Sequence, residues 1–114
     1  MKTIQTCTLS ITEHDVVEKA AAIIRKYLPS ATILLYGSRA RGEAHEESDY
    51  DILVISEDKV PWKIDEAIHD EIYDANLSPG HLISVFTTDR ARWQHPITCG
   101  SPFYDEVCRD GIQL

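Results

Sequence analysis

Two short apolar runs, Ile33-Leu34-Leu35-Tyr36 and Ile52-Leu53-Val54-Ile55, flank a polar stretch that begins at Gly37 and ends at Asp51. Residues 31–36 read as a buried strand stopped by Gly37. Residues 49–56 read as a second strand, apolar after two acids. The polar stretch therefore leaves and returns within one hairpin of backbone. A Gly-Ser pair stands at its start and an Asp-x-Asp pair at its end, ten residues apart.

The rest of the chain supplies the frame. Ser10, with Glu13 three residues on, resembles a capping box. Val16, Val17, Ala20, Ile23, Ile24, Tyr27 and Leu28 then recur on one helical face until Pro29. Residues 62–77 carry Ile64, Ile68, Ile72 and Ala75 at helical spacing. Ser78-Pro79-Gly80 is a turn, and 81–87 reads as a third strand. Ser101-Pro102 fits an N-cap with proline at the first helical position, and Gly111 fits the stop of that helix. Residues 1–9 leave two readings, an extended arm or disorder. The order helix, strand, strand, helix, strand, helix predicts an α/β (α+β) domain with a small mixed sheet packed with helices. At 114 residues, one domain over 1–114 is expected.

Composition narrows the partners. No apolar run is long enough to cross a bilayer, and the N-terminus lacks a signal-peptide core. Cys7, Cys99 and Cys108 are odd in number and lack ligand spacing, so they read as reduced thiols of a cytoplasmic protein. The net charge of −8 disfavours a nucleic-acid backbone as partner. It leaves room for a small nucleotide neutralised by a cation, or for a protein with a basic surface.

The polar stretch has the residue types for such a nucleotide. Gly37 permits close backbone approach to a ligand. Ser38 offers a hydroxyl and an N–H to phosphate where a short segment begins. Arg39 and Arg41 can add charge-assisted hydrogen bonds, and Gly42 lets the chain turn back. Asp49 and Asp51, two apart on a strand, point to one face and can reach one cation. Without a cation, their like charges repel and favour protonation of one. Magnesium suits the pair, because it takes one or two carboxylates together with phosphate and water. Ser48 is placed to cap the loop and orient Asp49.

These residues carry a resemblance. Gly37-Ser38-Arg39-Ala40-Arg41-Gly42, followed by Ser48-Asp49-Tyr50-Asp51-Ile52-Leu53-Val54, resembles the signature of the minimal nucleotidyltransferases of the DNA polymerase beta superfamily. The resemblance implies that fold, and transfer of a nucleoside monophosphate from an NTP, ATP foremost, to an acceptor hydroxyl with release of pyrophosphate. By the family pattern Gly37 and Ser38 hold the triphosphate, and Asp49 and Asp51 bind Mg2+ as the catalytic pair. Chains this small in the family are often encoded beside a small all-helical partner of the HEPN type, and some act as antitoxins by adenylylating it.

One departure stands out. Active members carry a third carboxylate on the next strand, which here reads His81-Leu82-Ile83-Ser84-Val85-Phe86. Ser84 occupies the expected place. Glu43, Glu46, Glu47, Asp89 or a partner are the candidates to replace it, with Asp89 expected past the strand end. Two rival readings follow: a catalytically degenerate module that binds nucleotide or partner, and an enzyme acting on a small hydroxylated molecule, against which the lack of a second domain argues. His14, His45, His69, His81 and His95 are scattered without ligand spacing. Trp62 and Trp93 are expected to pack. Cys108 has no histidine neighbour, and Tyr104 and Asp105 read as amphipathic-helix residues. Apolar faces on the first and last helices suit a core or a contact between copies equally.

Overall fold

Ser10 opens the first helix by reciprocal capping: its Oγ accepts the Glu13 N–H at 3.1 Å, and the Glu13 carboxylate accepts the Ser10 N–H at 3.0 Å. Helix α1 then runs Ile11–Tyr27 and buries Val16, Val17, Ala20, Ala21 and Ile24. The computed structural model to which it belongs describes residues 2–4, 9–45 and 48–114. Cys7, Glu46 and Glu47 lie outside the described residues.

Strand β2 spans Thr32–Tyr36, helix α2 Ser38–Arg41, strand β3 Tyr50–Ser56, helix α3 Trp62–Ala75 and strand β4 Ile83–Asp89. A short N-terminal strand, β1, covers Lys2–Thr3 and pairs with Ile112 and Gln113, so for these two residues the extended alternative is the one observed. Beyond β4 come helices α4 (Arg90–Trp93), α5 (Pro96–Cys99) and α6 (Pro102–Asp110), and strand β5 (Ile112–Gln113). The sheet order is β1-β5-β2-β3-β4. Strands β2 and β3 pair antiparallel, while β3 and β4 run parallel, so the sheet is mixed as expected.

The third strand begins two residues later than the sequence suggests. His81 N–H closes the turn onto the Ser78 carbonyl at 3.0 Å, so the chain is still turning at that point. At its other end strand β4 runs on through Asp89, which pairs with Ser56 of β3. Gly111 ends α6 for a steric reason: a Cβ there would meet the Val107 carbonyl oxygen at 2.5 Å.

Helices pack on both faces of the sheet. Tyr50, Ile52 and Val54 of β3 point toward α1 and α3, in a core that includes Ile24, Leu35, Ile68 and Ile72. Leu53 and Ile55 point the other way and pack against Trp93 and Val107. The central strand is therefore apolar almost throughout, as a strand covered on both sides requires. Truncating fully buried Ile52 or Leu53 to alanine costs about 2–5 kcal/mol. Alternation places Asp51 on the same face as Leu53, beneath α6. Among the described residues, no helix is long and apolar enough to cross a membrane.

Candidate functional site

The two ends of the polar stretch meet at one end of the central strands β2 and β3. Tyr36, the last residue of β2, pairs directly with Asp51 near the start of β3. The next residue, Gly37, takes φ +78° and ψ −162°, a conformation open almost solely to glycine. Its Cα lies so close to the acid that an added Cβ would sit 2.4 Å from Asp51 Oδ2. Gly42 ends α2 in the left-handed conformation, and its N–H donates to the Ser38 carbonyl. Ser38 is half-buried at the start of α2, and its hydroxyl makes no hydrogen bond to another described residue.

The acid pair is not symmetric. Asp49 is exposed just before β3, and its Oδ1 accepts the Leu82 N–H at 3.0 Å. Asp51 is half-buried, and burial pushes its carboxyl above the usual range, with the charges of Asp49 and Glu106 adding to the effect and Arg41 opposing it. A cation would relieve that repulsion. Magnesium fits the donor set, two hard carboxylates side by side, with phosphate and water to complete its shell. Among the described residues, no three acids, histidines or cysteines gather into a metal cluster by themselves. Ser48 does hold the loop: its Oγ accepts the His45 N–H at 3.1 Å.

The two arginines part company. Arg39 was expected to face phosphate, but it is 8% exposed and turned inward. Its Nε and Nη2 donate to the Ser48 carbonyl at 2.9 and 2.6 Å, and Nη1 to Glu13 at 3.1 Å. Its guanidinium lies 4.1 Å from the centre of the Tyr50 ring. Arg39 thus ties the cap of α1 to the residue preceding Asp49. Arg41 lies outward, with Nη1 3.2 Å from Glu106 and 3.9 Å from Asp110, and Nε 3.3 Å from Glu43.

Ser84 stands opposite Asp51 in the parallel register, where a third carboxylate was expected, and it is exposed. Asp89 is ruled out as its replacement. It ends β4 opposite Ser56, five residues and roughly 16 Å from Ser84. It is buried there, and its Oδ1 caps α4 by accepting the Arg92 N–H at 2.9 Å. Glu43 is largely exposed and faces Arg41. Glu106 of α6 was not among the sequence candidates, because only the docking of α6 on the sheet brings it near Asp51. Trp62, expected to pack, is 68% exposed, whereas Trp93 is buried against Phe103 and Tyr104.

Comparison with known proteins places the chain in a family. Residues 17–97 match the nucleotidyltransferase domain family, a span that includes β2, α2, β3 and β4. A search among curated proteins finds no match. Among solved structures, the chain is similar to a toxin–antitoxin complex with AMP-PNP at 24% identity and TM-score 0.57, covering 84% of this chain and 69% of that one. It is similar to the complex of a tri-AMPylated Shewanella oneidensis HEPN toxin with MNT antitoxin at 19% identity and TM-score 0.55, covering 90% and 71%. A variant MntA–HpeT toxin–antitoxin complex aligns at 22% identity and TM-score 0.56, covering 84% and 69%. At these identities the likeness concerns the fold.

Proposed function

The chain belongs to the nucleotidyltransferase domain family, and on that premise we propose that it transfers AMP from ATP to a hydroxyl of a partner protein. The observation that carries this reading is the contact between Gly37 and the Asp51 carboxylate. That proximity of the Gly-Ser turn to the Asp pair supports a single substrate being held by both. Ser38 holds the triphosphate through its hydroxyl and N–H, and Gly37 leaves room for the backbone to approach it. Arg41 turns from its acidic neighbours to the phosphates. Asp49 and Asp51 hold magnesium, which when bound neutralises the triphosphate and the charge developing on the leaving oxygen. Arg39 positions Ser48 and Tyr50, and through them the acid pair.

The acceptor hydroxyl belongs on the α6 side, the face that Asp51 shares with Ser84 and Phe86. Phe86 and Ile97 are exposed there around an apolar cleft of about 660 Å³. A small all-helical partner of the HEPN type fits this reading, since the structural relatives are toxin–antitoxin complexes. The absence of an acid at Ser84 supports a second reading, a module that neutralises its partner by binding alone. Incubation with α-phosphate-labelled NTPs, magnesium and extract of the source cells separates the two. Transfer predicts one labelled acceptor with ATP and none with Asp51→Asn. Stable complex formation with no mass change on the partner contradicts transfer.

A further inference from the structure

The transfer site has an exposed gap at Ser84, and α6 brings an acid to the same side of the sheet. Phe103 packs edge-on against Tyr36 with ring centres 5.3 Å apart, and against Phe86 at 5.9 Å. Tyr36 is the direct partner of Asp51, and Phe86 lies two residues beyond Ser84 on β4. Phe103 is therefore seated on the sheet face that carries Asp51. Glu106, three residues on, lies on the same side of α6. Its position along the sheet is fixed by Arg41, whose Nη1 lies 3.2 Å from Glu106 Oε1 at the end of α2. Arg41 follows Ser38 by three positions in the same short helix, so the ion pair stands beside the phosphate turn.

We propose that Glu106 supplies the third carboxylate of the transfer site, from α6 instead of β4, and takes the proton of the acceptor hydroxyl. The proposal rests on the transfer reading above. In the resting chain the carboxylate is held by Arg41. A bound triphosphate competes for Arg41 with two or more charged oxygens, which releases Glu106 toward the acceptor side. The acceptor oxygen then forms its bond to the α-phosphorus as the bond from that phosphorus to the β-phosphate oxygen breaks. Pyrophosphate leaves with the electron pair, and the hydroxyl proton passes to Glu106.

The test uses the labelling assay with the full chain. Glu106→Gln keeps the shape and an acceptor for Arg41 but removes the basic oxygen. It should slow labelling about 100-fold or more, while the thermal stabilisation given by magnesium–ATP stays at the wild-type value. Glu106→Gln combined with Ser84→Asp, which returns a carboxylate to β4 opposite Asp51, should regain most of the lost rate. Glu106→Asp, which keeps the charge, should lose less than Glu106→Gln. Wild-type labelling by Glu106→Gln overturns the assignment. So does a Glu106→Gln variant that loses its ATP-dependent stabilisation together with its rate, or a double variant no faster than the single one. A wild-type chain that binds magnesium–ATP yet labels nothing overturns the transfer reading itself, and this inference with it.

Discussion

Gly37 and Asp51 constrain one another closely. The glycine holds a backbone conformation that costs other residues on the order of 1–3 kcal/mol, and it leaves no space for a Cβ beside the carboxylate. Gly37→Ala should therefore lower stability by at least that much and displace Asp51; a lowered unfolding midpoint with loss of magnesium–ATP binding checks it. Asp51 itself is a liability in the empty chain. Its carboxyl titrates above its ordinary value, chiefly through burial, so its contribution to stability is present below that value and lost as pH rises through the folded value. Asp51→Asn should accordingly stabilise the unliganded protein at neutral pH, by less than about 1 kcal/mol because the site is partly solvated. Unfolding midpoints of the two proteins without nucleotide, compared at pH 7, measure it. A residue kept at the expense of stability is expected where function needs it.

At the scale of elements, the site depends on a strut that runs from α1 through Arg39 to the start of β3. Arg39→Lys keeps the charge but cannot reach Ser48, Glu13 and the Tyr50 ring together. Breaking a buried ion pair of this kind costs about 3 kcal/mol, and the variant should lose nucleotide affinity although Arg39 is turned away from the site. Glu13 makes the same strut sensitive to acid. Burial alone would raise its carboxyl, but the Ser10 N–H, the Arg39 guanidinium and the Ser10 hydroxyl together hold it below its ordinary value of 4.5. Its contribution is present above that value and is lost as pH falls through the lower folded value. Glu13→Gln should remove that part of the acid sensitivity, measured as the difference in unfolding midpoint between pH 6 and pH 3.

The same elements show which parts of the molecule can be read from sequence. The cap of α1 was legible because Ser10 and Glu13 act over three residues, and so was the buried face of that helix. The strands β2 and β3 were legible from their unbroken apolar runs. Strand β5 was not, because two residues carry no periodicity, and Ile112–Gln113 form a strand by pairing with Leu34 and Leu35 on one side and with Lys2 and Thr3 on the other. Arg39 was misread for a related reason. Within its motif it resembles a phosphate ligand, and it is turned inward by the Ser48 carbonyl, the Tyr50 ring and Glu13, the last 26 residues away. Glu106 was missed because helical spacing assigns it to a face of α6 without saying what that face meets.

For the whole molecule, the mixed sheet sets what is rigid and what faces the acceptor. Helices α1 and α3 close one face, and the shorter α6 and α4 cover the other only partly, so that Asp51, Ser84 and Phe86 share an accessible side. The C-terminus is tied to the sheet and to α1: Leu114 N–H donates to the Ile33 carbonyl at 2.9 Å, and Arg25 Nη2 donates to the Leu114 carbonyl at 2.6 Å. Deleting residues 112–114 should destabilise the fold by several kcal/mol, since Ile112 is buried, and a denaturant midpoint reads this directly. The central claim is that the Gly-Ser turn and the Asp pair form one magnesium–triphosphate site. Thermal unfolding with ATP, with and without magnesium, on wild type and Asp51→Asn tests it most directly. At about one hundred times the dissociation constant, bound ligand should add roughly 2.7 kcal/mol, a rise of several degrees that requires magnesium and disappears in the variant. An equal rise in Asp51→Asn, or one indifferent to magnesium, would contradict the site.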